Sequence, residues 1–273
     1  MLKKIISSFF ILFLVFCAPF SLGMAKVNDL HYCDTLNPRN VGGSPIQEWI
    51  TIEYDSYTVS SVYMNRMTPL YEGSYLVNSC APVAGISILG YHDVNKDNLI
   101  PNFTAGYEYE GEFYYSGQNK QVDYVLEDLY DSMGTNTTGP GTTESQFING
   151  LTSYVTGQGY NITFNSCGST FNKDTAISYL NNQIPIVMFL NTYVYYDDVC
   201  VSMGETSGRM YRLTSPNGHV VSVFGYREYN FYSNGSIFRT DRYMVVSFGD
   251  TSFGLISINN LNTITAAYAI NII

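Results

Sequence analysis

Hydrophobic positions change their period along this chain, and the changes mark out its elements. From Ser79 to Tyr91 the chain reads SCAPVAGISILGY. Ala81, Ala84, Ile88 and Tyr91 fall on one side of a helix, and Val83, Ile86 and Leu89 on the other. Apolar residues on both sides predict a buried central helix. Ser79 is placed to cap it, Pro82 sits in the first turn where its missing N–H costs nothing, and Gly90 lies near its end at Tyr91. A second helix is predicted over Gln121–Met133. A third starts from Thr142 or Thr143, carries Phe147, Leu151 and Val155 on one face, and stops at Gly157 and Gly159. Asp174 is expected to cap a fourth, TAISYLNNQ.

Strand patterns fill the rest. WITIEYDSYTVSSVYM alternates loosely and predicts one or two strands, and NITF predicts a short one. Pro185 opens the apolar strand IPIVMFLN. A loop carrying Cys200 is expected next, then GHVVSVFGY and RYMVVSFGD, joined through the hairpin turn Asn234-Gly235. Helices come mainly first and an antiparallel sheet last, which is an α+β order.

The first 25 residues change the picture of where the protein works. Lys3 and Lys4 precede an apolar run from Ile5 to Phe16, too short to span a bilayer, and Gly23-Met24-Ala25 supplies small residues for cleavage. Residues 1–25 are therefore expected to be a secretory signal and the protein secreted and extracellular, with no stable membrane insertion after cleavage. Residues 26–69, with a turn-rich stretch from Asn37 to Pro45, form an N-terminal arm or a pro-segment, and residues 70–273 the main domain. Loss of the signal removes Lys3 and Lys4 but no acid, so the formal net charge moves from −10 to −12. Such an acidic chain offers no footprint for nucleic acid or anionic lipid.

Cysteine and histidine narrow the chemistry. Beyond the signal lie Cys33, Cys80, Cys167 and Cys200, with His31, His92 and His219. Their spacing fits no zinc pattern, so no metal and no cofactor are expected. Asp93, Asn95 and Asp97 alternate as in a calcium loop. Asn98 and Thr104 then replace the Gly and Glu such a loop needs, which favours a plain polar loop.

Cys80 stands where a helix N-terminus favours a thiolate. It needs a base. His31 lies in the N-terminal arm. His92 is about 18 Å along the helix at about 1.5 Å per residue, too far to reach the thiol. His219 remains. A two-residue Asn234-Gly235 turn sets Ser233 opposite Ser236, Tyr226 opposite Tyr243 and His219 opposite Asp250, whose carboxylate would orient the imidazole. A single bulge would put Gly249 or Thr251 there instead.

In this order the chain resembles the papain-like cysteine peptidase superfamily, in its bacterial branch near the double-glycine (bacteriocin-leader) peptidases and, more distantly, streptopain. The similarity rests on NSCAPVAGISILGYHD, NLIP, AISYLNNQIPIVMFLN, NGHVVSVFGY and VVSFGDTSFGLISI, over roughly residues 70–262. The resemblance implies a helical half whose buried central helix starts at Cys80, an antiparallel sheet half, and a cleft between them. It implies Cys80 as nucleophile and His219 as base. Ser74 stands where such enzymes carry an oxyanion Gln, so Asn78 or a main-chain N–H would take that role. For the third residue the motif alignment offers Ser247 or Val246, and the hairpin register offers Asp250. A secreted monomeric cysteine peptidase acting on peptide or protein, or a related thiol acyl-transferase, is the function expected. A weak or inactive papain-like module binding peptides or cell-surface material is the alternative, and a structural domain with Cys80 in a disulfide the third.

Overall fold

The computed structural model describes residues 46–64, 67, 70, 76–109, 112–115, 118–191, 193–196, 200–201, 207–215, 218–249, 253–258 and 263–273. The signal segment, His31, Cys33, Ser74 and Asp250 lie outside the described residues.

Four α-helices occur among them. Helix α1, Cys80–Asp93, is buried without a break from Ala81 to Gly90. It runs two residues past the expected end at Tyr91, to Asp93, whose Oδ1 accepts the Ile100 N–H at 2.8 Å and folds the chain back there. Ser79 precedes the helix, but its hydroxyl donates to the Leu76 carbonyl at 3.3 Å and caps nothing. Helix α2, Lys120–Ser132, is capped by Asn119 and buries Val122, Val125, Leu126 and Leu129. Helix α3, Glu144–Gly157, begins with a capping box between Thr143 and Gln146 and buries Phe147, Leu151 and Val155. Helix α4, Lys173–Asn181, is capped by Asn172, whose amide oxygen accepts from Asp174 N and Thr175 N. Asp174, the expected cap, sits instead in the first turn, where its charge suits the helix dipole.

The strands are β1 (Ile46–Glu53), β2 (Ser56–Tyr63), β3 (Gly106–Tyr109), β4 (Glu112–Tyr115), β5 (Ile162–Ser166), β6 (Ile186–Leu190), β7 (Tyr193–Tyr196), β8 (Cys200–Val201), β9 (Ser207–Ser215), β10 (His219–Ser233), β11 (Ser236–Ser247), β12 (Phe253–Ser257) and β13 (Ile264–Ile272). Apart from the β3–β4 hairpin they form one antiparallel sheet in the order β1-β9-β7-β12-β11-β10-β6-β13-β5, with β2 on β10 and β8 on β9. The fold is α+β, as the order of patterns predicts. Two details differ. Cys200 lies in a strand rather than a loop. Strands β1 and β2 join the sheet built by the C-terminal part of the chain. Helix α1 packs against α2 and α3 and also against β6 and β10.

The β10–β11 hairpin closes as the Asn234-Gly235 pair predicts, with Ser233 opposite Ser236. It does not keep one register. Phe238 is an extra residue in β11 and Phe224 an extra residue in β10, so Tyr226 faces Met244 rather than Tyr243. The second bulge cancels the first, and Ser222 again faces Ser247. The bulge at Phe224 has a structural reason. Below it β10 pairs with β6 as far as Val223–Ile186, and above it with β2 from Gly225–Tyr63. The Met64 N–H bonds the Phe224 carbonyl at 2.7 Å across the change of partner.

The far end of α1 holds two titrating neighbours with opposite tendencies. The His92 Nε2–H donates to the Ile270 carbonyl at 3.2 Å, and burial lowers its pKa to about 4. Burial raises Asp93 to about 6 against the hydrogen bonds that it accepts. Folded His92 binds fewer protons than the unfolded chain between about pH 4 and 6.5, so its term raises stability as pH rises. Folded Asp93 binds more protons between about pH 3.8 and 6, so its term lowers stability as pH rises. The two nearly offset each other. Relative to wild type, His92→Gln should lose stability from pH 4 to 6, and Asp93→Asn should gain it, in urea midpoints measured across that range. Parallel profiles for the two variants would refute the opposition.

Candidate active site

The candidate nucleophile is the first residue of α1. Cys80 is half-buried against the core and is a thiol, not half of a disulfide. The apolar body of α1 fixes it from behind, and Val83, one turn on, bonds through its N–H to the Ser79 carbonyl at 2.9 Å.

The candidate base opens β10. His219 lies opposite Leu190 of β6. A Cβ on the preceding Gly218 would come within 3.1 Å of the Leu190 carbonyl oxygen, so the chain passes close there. His219 Nε2 lies 3.1 Å from the Phe248 carbonyl oxygen, and the two rings stack with centroids 6.0 Å apart. A carbonyl can only accept, so Nε2 carries the hydrogen. In the neutral ring Nδ1 is then the basic nitrogen.

Gly249 links this histidine to the helix. It follows Phe248, adopts φ +82°, and a Cβ on it would stand 2.7 Å from Val83 Cγ1. The segment that accepts the His219 hydrogen bond therefore rests on the first turn of α1, the turn that Cys80 begins.

The other expected residues divide. Asp250 lies outside the described residues. Ser247 is buried opposite Ser222, and its Oγ accepts from Gly249 N at 3.3 Å. Strand alternation puts it on the face away from His219, so it is not brought to the imidazole. Asn78 adopts φ +60°, and its Nδ2 donates to Asn136 Oδ1 at 2.8 Å. His92 is committed to Ile270 at the other end of α1. Cys167 is a buried thiol pushed up to about 11 by desolvation. Sequence reading missed the Phe248 carbonyl, because a main-chain acceptor leaves no residue-type signature. Its one visible sign is Gly249.

Among the described residues no three or more His, Cys, Asp or Glu side chains gather as metal ligands. No helix among them is long and apolar enough to cross a membrane. No family model and no curated protein matches the chain.

Proposed function

We propose that this protein is a papain-like cysteine peptidase, exported from the cell, that cleaves peptide bonds through Cys80 with His219 as its base. One observation carries the reading. The imidazole is oriented by Phe248 O through Nε2, and the next residue, Gly249, packs on the first turn of Cys80's helix. Nδ1 takes the thiol proton. The thiolate attacks the peptide carbonyl carbon, and the imidazolium returns that proton to the leaving amine as the C–N bond breaks. Water then hydrolyses the thioester with the same nitrogen as base. Export is supported by the apolar run behind Lys3 and Lys4.

The test is alkylation of Cys80 by iodoacetamide from pH 5 to 9, read by peptide mass mapping. An ordinary thiol of pKa about 8.5 is only about 0.3% ionised at pH 6. Wild type should label there about tenfold faster or more than that fraction allows, and His219→Ala should lose the excess. Equal rates in the two proteins at pH 6 would sink the Cys–His pairing. A weak or non-catalytic module is the second reading. It is favoured by a Ser, not a Gln, at sequence position 74, where the resemblance expects the oxyanion Gln, and by the tie between the Asn78 amide and Asn136. It predicts ordinary thiol reactivity in a folded wild type.

A further inference from the structure

Just ahead of Cys80 the backbone takes an unusual course. Asn78 is in the left-handed region at φ +60°, which residues other than Gly, Asn and Asp seldom adopt. Ser79 is fully buried, and its hydroxyl bonds back to Leu76 O. The turn 76–79 is thus continuous with the first turn of α1, and its position sets that of the thiol.

Asn136, in the loop between α2 and α3, meets this turn. It too is left-handed, at φ +65°. Its Oδ1 accepts from Asn78 Nδ2 at 2.8 Å and from Gly141 N at 2.8 Å. Its Nδ2 donates to Val77 O at 2.9 Å and to the Tyr130 hydroxyl at 2.6 Å. Tyr130 in turn donates to Val77 O at 3.0 Å. Both amide hydrogens and both oxygen lone pairs are used, and only one orientation of the amide satisfies all four bonds.

The loop itself is braced. Asn136 N bonds Gly141 O, and the Thr135 and Thr142 hydroxyls meet at 2.8 Å. Gln146 of the α3 capping box donates to Gly134 O at 2.9 Å and to Thr137 Oγ1 at 3.1 Å. A continuous hydrogen-bonded path therefore runs from the start of α3, through the loop, to Val77 and Asn78, just ahead of Ser79 and the helix of Cys80.

We infer that Asn136 is a positioning residue for the Cys80 thiol, acting by clamping the Val77–Asn78 turn in its left-handed form. The inference rests on the peptidase reading. It also assigns the Asn78 side chain to this clamp and leaves oxyanion binding to main-chain N–H groups. Asn136 begins the sequon Asn-Thr-Thr. A glycan there would replace one of the two donated hydrogens, so the clamp and glycosylation exclude each other.

The test uses the full-length protein and the same alkylation profile. Asn136→Ala should lower the Cys80 rate at pH 6 by about tenfold, and Tyr130→Phe by about threefold. Both rates should converge on wild type near pH 9, where the thiol ionises unaided. Asn136→Asp keeps both acceptor bonds and should fall between wild type and alanine. Thermal melts establish that each variant is folded, and Tyr130→Phe and Asn136→Asp decide the matter if the alanine variant is not. Where wild type shows the His219-dependent rate at pH 6 and the folded variants match it within about twofold, the clamp is wrong and the peptidase reading stands. Where wild type lacks that rate, the peptidase reading falls and the clamp falls with it.

Discussion

Gly249→Ala should destabilise the protein by about 3 kcal/mol, from left-handed strain and overpacking together. The new methyl would lie 2.7 Å from Val83 Cγ1 and 3.4 Å from Val83 Cβ. Val83 cannot turn away, because it is buried and its branched side chain has essentially one rotamer in a helix. Residue 249 must then move off α1 and draw the Phe248 carbonyl from His219. The same variant should therefore lose its fast alkylation at pH 6. Val83→Ala in the Gly249→Ala background removes the contact but leaves the φ of +82°, so only part of the loss should return, with a coupling of about 1–2 kcal/mol. Urea denaturation of the four proteins measures this. A Gly249→Ala midpoint equivalent to less than about 0.5 kcal/mol would refute the argument.

Gly225→Ala should be at least as severe, at about 4 kcal/mol. Here the obstacle is backbone. The methyl would stand 2.3 Å from Val62 O, 3.0 Å from Tyr63 Cδ1 and 3.2 Å from Tyr63 Cα. No rotamer relieves a clash with a carbonyl in a paired strand. Strand β2 has to separate from β10 at the point where β10 changes partner. Hydrogen exchange should show the β2 amides losing protection before those of β6. Gly157→Ala is the control: nothing lies within 4 Å of its Cβ position, and it should be neutral or slightly stabilising. Equal effects at the two glycines would mean that close approach is not the cause.

Much of this fold is written in local pattern. The two-sided apolar run of α1, the i, i+4 stripe of α3 and the Asn234-Gly235 turn each report a short-range rule, and each is found. The departures arise where backbone geometry or a distant partner, rather than residue type, decides. Asn172 rather than Asp174 caps α4 because its backbone is extended there, at φ −100° and ψ 107°, which brings its amide oxygen over the next N–H groups. The Phe224 bulge depends on β2 arriving at β10, which nothing near Phe224 announces. At the site, Cys80 and His219 are visible as residue types in a plausible order. The Phe248 carbonyl and the Asn136 clamp are not, since one is main chain and the other acts from a loop 58 positions from the asparagine that it holds.

The pairing of β2 with β10 bears on how the chain could mature. If the arm that carries β1 and β2 were cut away and released, β10 would be stripped of its partner from Gly225 to Tyr232, and β9 of its partner from Ser207 to Thr214. Rows of unbonded N–H and C=O groups would open at two places on the sheet. Phe231, now covered by the rings of Tyr54 and Tyr57, would face water beside one of them. Such edges recruit other strands. A cleaved form that stays soluble must keep residues 46–63 bound as a separate chain, and a form that sheds them should self-associate.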